Sequence, residues 1–230
     1  DAGCTRVLLG VGGSATTDGG AGMLAALGLR LLDLDGRDLP PGGAALAEVR
    51  HVDAAQLHPR IRDVEFVLAA DVDNPLLGLR GAATVFGPQK GASEQDVLDL
   101  DAALAVFRDR LADALGEPAR QAADAPGAGA AGGIGYAALA VLGARRRPGI
   151  DVVLDLVALD AAVADADLLL TGEGSLDEQS LGGKTPLGVL HVGRRHGVPV
   201  VAVCGRTTLD AATLREAGFA AVHELRALAA

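Results

Sequence analysis

A glycine-rich segment near the amino end of the chain carries backbone and hydroxyl donors that suit an anion. Residues 12–22 read G-G-S-A-T-T-D-G-G-A-G, between a predicted strand and a predicted helix. The N–H groups of Gly12 and Gly13, the hydroxyls of Ser14 and Thr16, and a helix amino terminus can together surround a phosphate or a carboxylate. A tight strand-to-helix turn without a ligand is the alternative, and both interpretations stay open at this point.

A pair of carboxylates follows a second predicted strand, residues 64–70. Asp71 and Asp73 open the segment D-V-D-N-P. Carboxylate oxygens are ligands that Mg2+ prefers, so the pair is predicted to help hold a metal ion. The segment is not an EF-hand loop, because its sixth position is Leu76 and its twelfth is Ala82. A capped turn before the proline is the alternative.

Lysine is rare in this chain, and both lysines lie in glycine-rich segments. Of the 20 basic residues 18 are arginine, which leaves Lys90 in F-G-P-Q-K-G-A and Lys184 in G-G-K-T-P. Where arginine is the default cation, a retained lysine indicates a need for a compact ammonium group. Both lysines are therefore predicted to contact an anion, with chance placement as the alternative.

A further glycine-rich segment follows a predicted parallel strand in the carboxyl-terminal part of the chain. Residues 171–179 read T-G-E-G-S-L-D-E-Q and lead on to Thr185, where a helix is predicted to begin. Open α/β sheets bind their ligands just beyond the carboxyl ends of such strands. Gly172, Glu173 and Gly174 are therefore predicted to lie against a ligand, and a purely structural loop is the alternative.

Other familiar signatures fail in this sequence. The letters G-K-T resemble the end of a P-loop, but Glu178 stands where its leading glycine belongs. Residues 127–132 match G-x-G-x-x-G, yet the segment before them does not read as a strand, which weakens a dinucleotide-binding interpretation. His191 and His196 are five positions apart and do not share a helical face, so they do not form a metal motif.

Strands and helices must position these segments. The pattern of predicted strands and helices divides the chain into two parts. Residues 1–149 predict a mixed α/β domain, with a turn at Asp35-Gly36, and residues 150–230 alternate strands and helices, as parallel βαβ units do. Strands are expected at residues 6–11, 64–70, 167–170, 199–204 and 220–223, and helices at 21–27, 94–115, 185–196 and 210–217, with another ending at 142. Three strands are thin for an open parallel sheet, so we expect further strands from outside this sequence, as in part of a longer protein.

Composition narrows the class of protein. Half of the residues are hydrophobic but only 2% are aromatic, so aliphatic side chains must build the core. The net charge of −10 argues against nucleic acid or an anionic membrane as a partner. Residues 125–144 are uncharged but contain six glycines and a proline, which disfavours a membrane span. Cys4 and Cys204 lie far apart, which indicates reduced thiols and predicts a cytoplasmic protein.

Five segments in fixed order resemble the bacterial type-I glycerate kinase family and span nearly the whole chain. They are G-V-G-G-S-A-T-T-D-G-G-A-G, D-V-D-N-P-L-L-G, F-G-P-Q-K-G-A, P-G-A-G-A-A-G-G and T-G-E-G-S-L-D-E-Q-S-L-G-G-K-T-P-L-G-V. Three positions depart from the family pattern, since Thr17 replaces asparagine, Leu77 cysteine and Ser175 arginine. Losing that arginine could weaken phosphate binding, or Arg206 could cover the loss.

The resemblance implies ATP-dependent phosphorylation of D-glycerate with Mg2+, and 2-phosphoglycerate is favoured over 3-phosphoglycerate as the product. It also implies two α/β domains. Residues 1–149 would be the inserted second domain, and residues 150–230 the returning half of a flavodoxin-like first domain, whose amino-terminal part has no counterpart in this sequence. A catalytically silent module that binds a sugar acid or a nucleotide is the main alternative, and a phosphosugar-binding protein without transfer activity is another.

The resemblance also suggests roles for individual residues. The catalytic candidates are Asp18, Asp177 and Lys90, with either carboxylate as the base and Lys90 on a phosphate or on the glycerate carboxylate. The metal candidates are Asp71 and Asp73. The cofactor-binding candidates are Gly12, Gly13, Ser14, Thr16, Gly172, Glu173, Gly174, Lys184 and Thr185. The expected partner is the small-molecule substrate, and the sequence does not predict an oligomeric state.

Overall fold

The computed structural model describes residues 3–178, 180 and 185–228. The chain divides into two compact units, Asp1–Arg147 and Pro148–Ala230. Each unit combines helices with a parallel sheet, which confirms the predicted α/β class. Assignment of the two units to an inserted and a flavodoxin-like domain stays a prediction.

The first unit is built on a short parallel sheet and an antiparallel ribbon. Its elements are β1 (Arg6–Gly10), α1 (Ala21–Ala26), β2 (Arg30–Leu32), β3 (His51–Asp53), β4 (Glu65–Ala69), α2 (Ala82–Phe86), α3 (Glu94–Leu115), α4 (Glu117–Gln121), α5 (Ala130–Ala140) and β5 (Arg145–Arg147), with 3-10 turns at Ala44–Glu48, Pro59–Arg62, Pro88–Lys90 and Ala122–Asp124. The sheet has the order β1-β4-β5, and Gly10 lies opposite Ala69. The segments that follow β1 and β4 therefore start at the same edge of the sheet.

Helix α3 organises the core of this unit. Its amino end is capped as predicted, because Ser93 and Asp96 each accept a backbone N–H from the other. Leu104, Phe107 and Leu111 recur at helical spacing and are fully buried. The edge of the Phe107 ring meets the Tyr136 ring, with 6.1 Å between ring centroids. Elsewhere the buried residues are mainly Leu, Val and Ala, as the scarcity of aromatic residues required.

The second unit is a parallel sheet packed against helices. Its elements are α6 (Gly149–Leu156), α7 (Leu159–Val163), β6 (Leu169–Leu176), α8 (Thr185–His196), β7 (Val200–Thr207), α9 (Ala211–Ala217), β8 (Ala221–Glu224) and α10 (Leu225–Leu228). The strand order is β6-β7-β8. Leu190 of α8 and Leu214 of α9 are buried in the same cluster as Val200 and Ala202. Successive side chains of a strand point to opposite faces of the sheet. Leu170 of β6 lies on the face opposite this buried cluster and is 69% exposed.

The predicted end of strand β6 is wrong, because its pairing with another part of the chain extends the strand. Strand β6 was expected to end at residue 170, but its pairing with β7 continues to Leu176. Gly172, Glu173 and Gly174 therefore lie inside a strand rather than in the loop beyond it. Pairing with a neighbouring strand overrides the low strand propensity of glycine.

Two further elements of the first unit differ from the sequence-based prediction. Strand β5 was not predicted, because three consecutive arginines do not read as a strand. The turn at Asp35-Gly36 is present, with Leu32 bridging to Asp38, but the main partner of β2 is β3. Among the described residues, no helix has both the length and the apolar composition needed to cross a membrane.

Candidate active site

The predicted anion-binding segment of the first unit contains a lysine from a distant part of the chain. The Nζ atom of Lys90 donates to the hydroxyl of Ser14 at 3.0 Å and to the carbonyl oxygen of Thr16 at 2.7 Å. An ammonium group has three N–H donors. Within the described part of the chain, these contacts use two of them. The structure thus joins Lys90, Ser14 and Thr16, and leaves one charged donor for a ligand.

Two opposing effects act on the pKa of Lys90. Its side chain is half-buried, and burial lowers the pKa of Lys90, while the carboxylate of Asp18 opposes this by raising it. Gly12 and Gly13 precede Ser14 on the same segment and are exposed. A ligand can therefore reach the backbone that lies beside the ammonium group.

Asp18 closes the segment that follows β1. Its Oδ1 accepts the N–H of Gly20 and its Oδ2 accepts the N–H of Gly22, both at 3.0 Å. Gly22 belongs to the first turn of α1, whose N-cap residue is Gly20, so Asp18 holds the backbone that leads into this helix. Each carboxylate oxygen accepts one backbone N–H, and these two contacts support a structural role for Asp18.

The glycine-rich kink near the start of α5, at residues 131–133, packs directly against this segment. Gly19 donates its N–H to the carbonyl oxygen of Gly132 at 2.9 Å. Gly132 has a φ of +66°, and a Cβ at this position would overlap the carbonyl oxygen of Thr16. The match to G-x-G-x-x-G is therefore explained by close packing of two chain segments. This agrees with the weak dinucleotide-binding interpretation given to these residues.

The carboxylate pair after β4 is divided between an ion pair and an exposed side chain. Asp73 Oδ1 accepts a hydrogen bond from Arg146 Nη2 at 2.7 Å, and the Asp71 side chain is exposed. No group of three or more His, Cys, Asp and Glu residues in the described ranges is arranged to hold a metal ion. A guanidinium competes with a cation for the same carboxylate. The metal role of Asp71 and Asp73 stays a prediction, and no step is derived through a metal ion.

In the second unit, Asp177 is held in a turn by a buried serine. Ser180 is fully buried, and its N–H donates to Asp177 Oδ1 at 3.0 Å. The Asp177 N–H donates in return to the Ser180 hydroxyl at 3.2 Å. Sequence reasoning missed Ser180, because a single serine in a polar segment carries no pattern of its own.

A groove opens beside this turn. It measures about 410 Å3 and is lined by Asp177, Glu178, Thr208 and Leu209. The turn follows β6 and the Thr208–Leu209 pair follows β7, so the groove lies beyond the carboxyl ends of parallel strands, where ligands of open α/β sheets bind. A volume of this size suits a small ligand.

The described residues that line the groove do not include Gly172, Glu173, Gly174 or Thr185. Glu173 lies opposite Cys204 on the adjacent strand, and its Oε1 accepts the N–H of Gly174 at 3.3 Å. Thr185 is the exposed first residue of α8. Lys184 lies outside the described residues.

The arginine that the sequence lacks at Ser175 has a neighbour that could replace it. Ser175 and Arg206 lie directly opposite each other on β6 and β7. Residues paired in this way project from the same face of a sheet. The geometry therefore supports the prediction that Arg206 covers the loss of the family's arginine.

Comparisons with known proteins agree with one another. The model of the glycerate kinase family matches residues 1–229. A glycerate kinase of Bacillus subtilis (strain 168) is 46% identical over 98% of this chain and 58% of its own length. A glycerate 2-kinase of Escherichia coli (strain K12) is 42% identical over 98% of this chain and 58% of its own length.

A solved structure shares the fold. The crystal structure of a protein provisionally named glycerate kinase 2, from Salmonella typhimurium LT2, superposes with a TM-score of 0.84 at 42% identity. It covers 97% of this chain, while this chain covers 57% of that one. The chain thus spans a little over half the length of the relatives that it matches.

Proposed function

The chain belongs to the glycerate kinase family, and from this premise we propose that the protein transfers a phosphoryl group from ATP to D-glycerate. The resemblance of the five sequence segments is thereby confirmed. The name of the Escherichia coli relative, glycerate 2-kinase, supports the 2-hydroxyl as the acceptor. A cytoplasmic location remains a prediction, consistent with Cys4 and Cys204 being free thiols.

The observation that carries the proposal is the contact of Lys90 with Ser14 and Thr16. It brings two of the five family segments together around a charged donor. Because the Ser14 hydroxyl accepts from Lys90, its own hydrogen can be donated to a ligand. An ammonium, a hydroxyl and the exposed backbone of Gly12 and Gly13 suit a carboxylate or a phosphate group. Both groups are present in the substrates of a glycerate kinase.

The protein's own contribution to transfer is positioning and charge stabilisation, since phosphoryl transfer needs little covalent chemistry from an enzyme. Lys90 would stabilise negative charge on the bound anion. Asp177 is the better-supported candidate for the base, because Ser180 fixes its orientation at the edge of a groove. Asp18 would keep the Ser14-containing segment in shape.

ATP is the proposed phosphoryl donor, and Mg2+ is proposed as the cation that accompanies its phosphates. Mg2+ in such enzymes keeps several waters and is held by substrate phosphates together with one or two carboxylates. No described residues are assigned to hold it. Lys184 and Thr185 are retained as proposed contacts of the nucleotide phosphates on the strength of the family resemblance.

The test is release of ADP that depends on D-glycerate, with the phosphorylated product identified by phosphorus NMR. It should be run on the 230-residue chain and on a version extended at its amino end to the length of the relatives. Formation of 2-phosphoglycerate supports the proposal. If neither version releases ADP while D-glycerate or ATP still binds, the alternative of a silent binding module is correct.

A further inference from the structure

Arg146 is fastened at the end of the first unit's sheet by a carboxylate and a carbonyl. It lies on β5 opposite Leu68 of β4, on the face that α5 covers. Its Nη2 donates to Asp73 Oδ1 at 2.7 Å and more weakly to the carbonyl oxygen of Val72 at 3.4 Å. The guanidinium therefore sits at the carboxyl end of β4, where ligands of parallel sheets bind.

The backbone around Arg146 makes room for its side chain. Gly127 has a φ of +88°, and a Cβ there would lie 2.9 Å from Cδ and 3.1 Å from Nε of Arg146. Any larger residue at position 127 would push the guanidinium away. The arginine is thus held in one place by Asp73 on one side and by the shape of this turn on the other.

The guanidinium of Arg146 is only partly used by these contacts. Its Nε is buried and has no hydrogen-bond partner in the described residues. Both of its hydrogen bonds come from Nη2, while the side chain as a whole is 27% exposed. A buried polar group without a partner is costly to the folded state and requires an explanation, of which a bound ion is one. Because Nε packs against Gly127, the donor that remains for such an ion is Nη1.

We propose that Arg146 is an anion-binding residue of this protein, and that Asp73 is the counter-ion that positions its guanidinium rather than a Mg2+ ligand. The ligand class is an oxyanion, because Nη1 makes no hydrogen bond in the described residues and is a charged donor for an oxygen of a carboxylate or a phosphate. The proposal rests on the proposed function for the identity of that oxyanion. D-Glycerate would supply the carboxylate, and ATP would supply the phosphate.

Calorimetric titration distinguishes these sources. Wild type, Arg146→Gln, Arg146→Lys and Asp73→Asn would each be titrated with D-glycerate, with ATP at fixed Mg2+, and with inorganic phosphate. We expect Arg146→Gln to weaken binding by about tenfold or more, on the scale of one lost charge-assisted hydrogen bond. Weaker binding of D-glycerate alone identifies a carboxylate site, and weaker binding of ATP and inorganic phosphate identifies a phosphate site.

The two companion variants separate charge from geometry. Arg146→Lys keeps the charge but lacks the planar fork, so it should weaken the same ligand. If Arg146→Gln does not fold, Arg146→Lys provides the test of the proposal. Asp73→Asn should weaken binding of that ligand by a smaller factor. A second series, with ATP titrated at several Mg2+ concentrations, should show that the Mg2+ concentration needed for half-maximal ATP binding is unchanged in Asp73→Asn.

Arg145→Gln is the matched control. Arg145 is the preceding residue on β5 and is exposed, with its guanidinium paired to Glu65. Its replacement should leave all three affinities at the wild-type value. Circular dichroism and Tm should show that each variant is folded.

Three results would overturn the proposal. The first is wild-type affinity for all three ligands in the folded Arg146 variants, which would assign Arg146 a purely structural role. The second is a raised Mg2+ requirement in Asp73→Asn, and the third is a wild type that binds none of the ligands. If inorganic phosphate binding depends on Arg146 but no glycerate-dependent ADP release occurs, the proposed kinase function fails while this inference stands.

Discussion

The ammonium nitrogen of Lys90 lies 2.7 Å from the carbonyl oxygen of Thr16, although the two residues are 74 positions apart in the chain. The contact joins the 3-10 turn Pro88–Lys90 to the segment that follows β1. Lys90 supplies a donor to this part-buried carbonyl oxygen and a second donor to the hydroxyl of Ser14. Lys90 therefore has a structural role beside its proposed role in ligand binding.

Replacement of Lys90 tests that shared role. Lys90→Met should lower kcat/KM for D-glycerate by about 100-fold, the scale of losing one preorganised donor. Lys90→Arg should not rescue activity, because a planar fork cannot take the place of a compact ammonium between Ser14 and Thr16. Gln89→Met, on the exposed neighbouring residue of the same turn, is the control for side-chain size. Near-normal kcat/KM in Lys90→Arg would assign Lys90 a purely structural role.

The two candidate bases, Asp18 and Asp177, should respond differently to conversion to asparagine. Asp18→Asn should cost about 1–3 kcal/mol of stability, since the amide keeps one acceptor for the two backbone N–H groups and turns a donor toward the other. Its kcat should stay within about tenfold of wild type. Asp177→Asn should lower kcat by about 10²- to 10⁴-fold, as loss of a general base does. Urea denaturation and steady-state kinetics supply the two readouts, and an equally large loss of kcat in a stable Asp18→Asn would reverse the assignment.

Tyr136 gives a pH dependence that can be observed directly. It is the chain's sole tyrosine, and the chain has no tryptophan. Burial raises the pKa of Tyr136 well above its usual range. In the unfolded chain the phenol ionises near pH 10. The stabilisation from burying the neutral phenol is therefore complete below about pH 10 and is lost as the pH rises further.

The measurement is absorbance at 295 nm, which reports tyrosinate. Native protein should remain unionised through about pH 10 and ionise together with unfolding, whereas protein in concentrated urea should titrate normally. Tyr136→Phe should be neutral or stabilising by up to about 1 kcal/mol, because its hydroxyl is buried without a partner in the described residues. Reversible ionisation of folded protein near pH 10 would show that water reaches this phenol.

Helix α3 could be predicted from neighbouring residues, whereas strand β5 depends on a long-range contact. The Ser93–Asp96 cap and the apolar spacing of α3 are properties of neighbouring residues, so the helix was predicted with its correct ends. Strand β5 could not be predicted in the same way. Its arginines form a strand only because β4 offers them a parallel partner.

The same distinction applies to the candidate sites. The scarcity of lysine pointed to Lys90, but its partner Ser14 lies 76 positions away and was visible only as part of another segment. Asp73 was interpreted as a metal ligand because carboxylates after a strand suit that role. The structure instead pairs it with Arg146, a residue 73 positions away that no sequence pattern singled out.

Gly132 and Gly13 form a matched pair for testing how closely the chain segments pack. Both have a φ of +66°, but a Cβ at Gly13 would meet nothing within 4 Å, whereas at Gly132 it would overlap the backbone of Thr16. Gly13→Ala should therefore cost about 1–2 kcal/mol, the strain of a left-handed alanine. Gly132→Ala should cost on the order of 1–3 kcal/mol more, since backbone atoms must move apart.

Urea denaturation of both variants measures these costs, and calorimetry with D-glycerate and ATP supplies a second readout. Gly13→Ala should affect ligand binding more than stability, because Gly13 lies on the exposed part of the anion-binding segment. Gly132→Ala should disturb stability first, and binding only as the Thr16 carbonyl is displaced from Lys90. Equal losses of stability in the two alanine variants would mean that the kink near the start of α5 adapts to a methyl group, and that the Lys90–Thr16 contact does not depend on its packing.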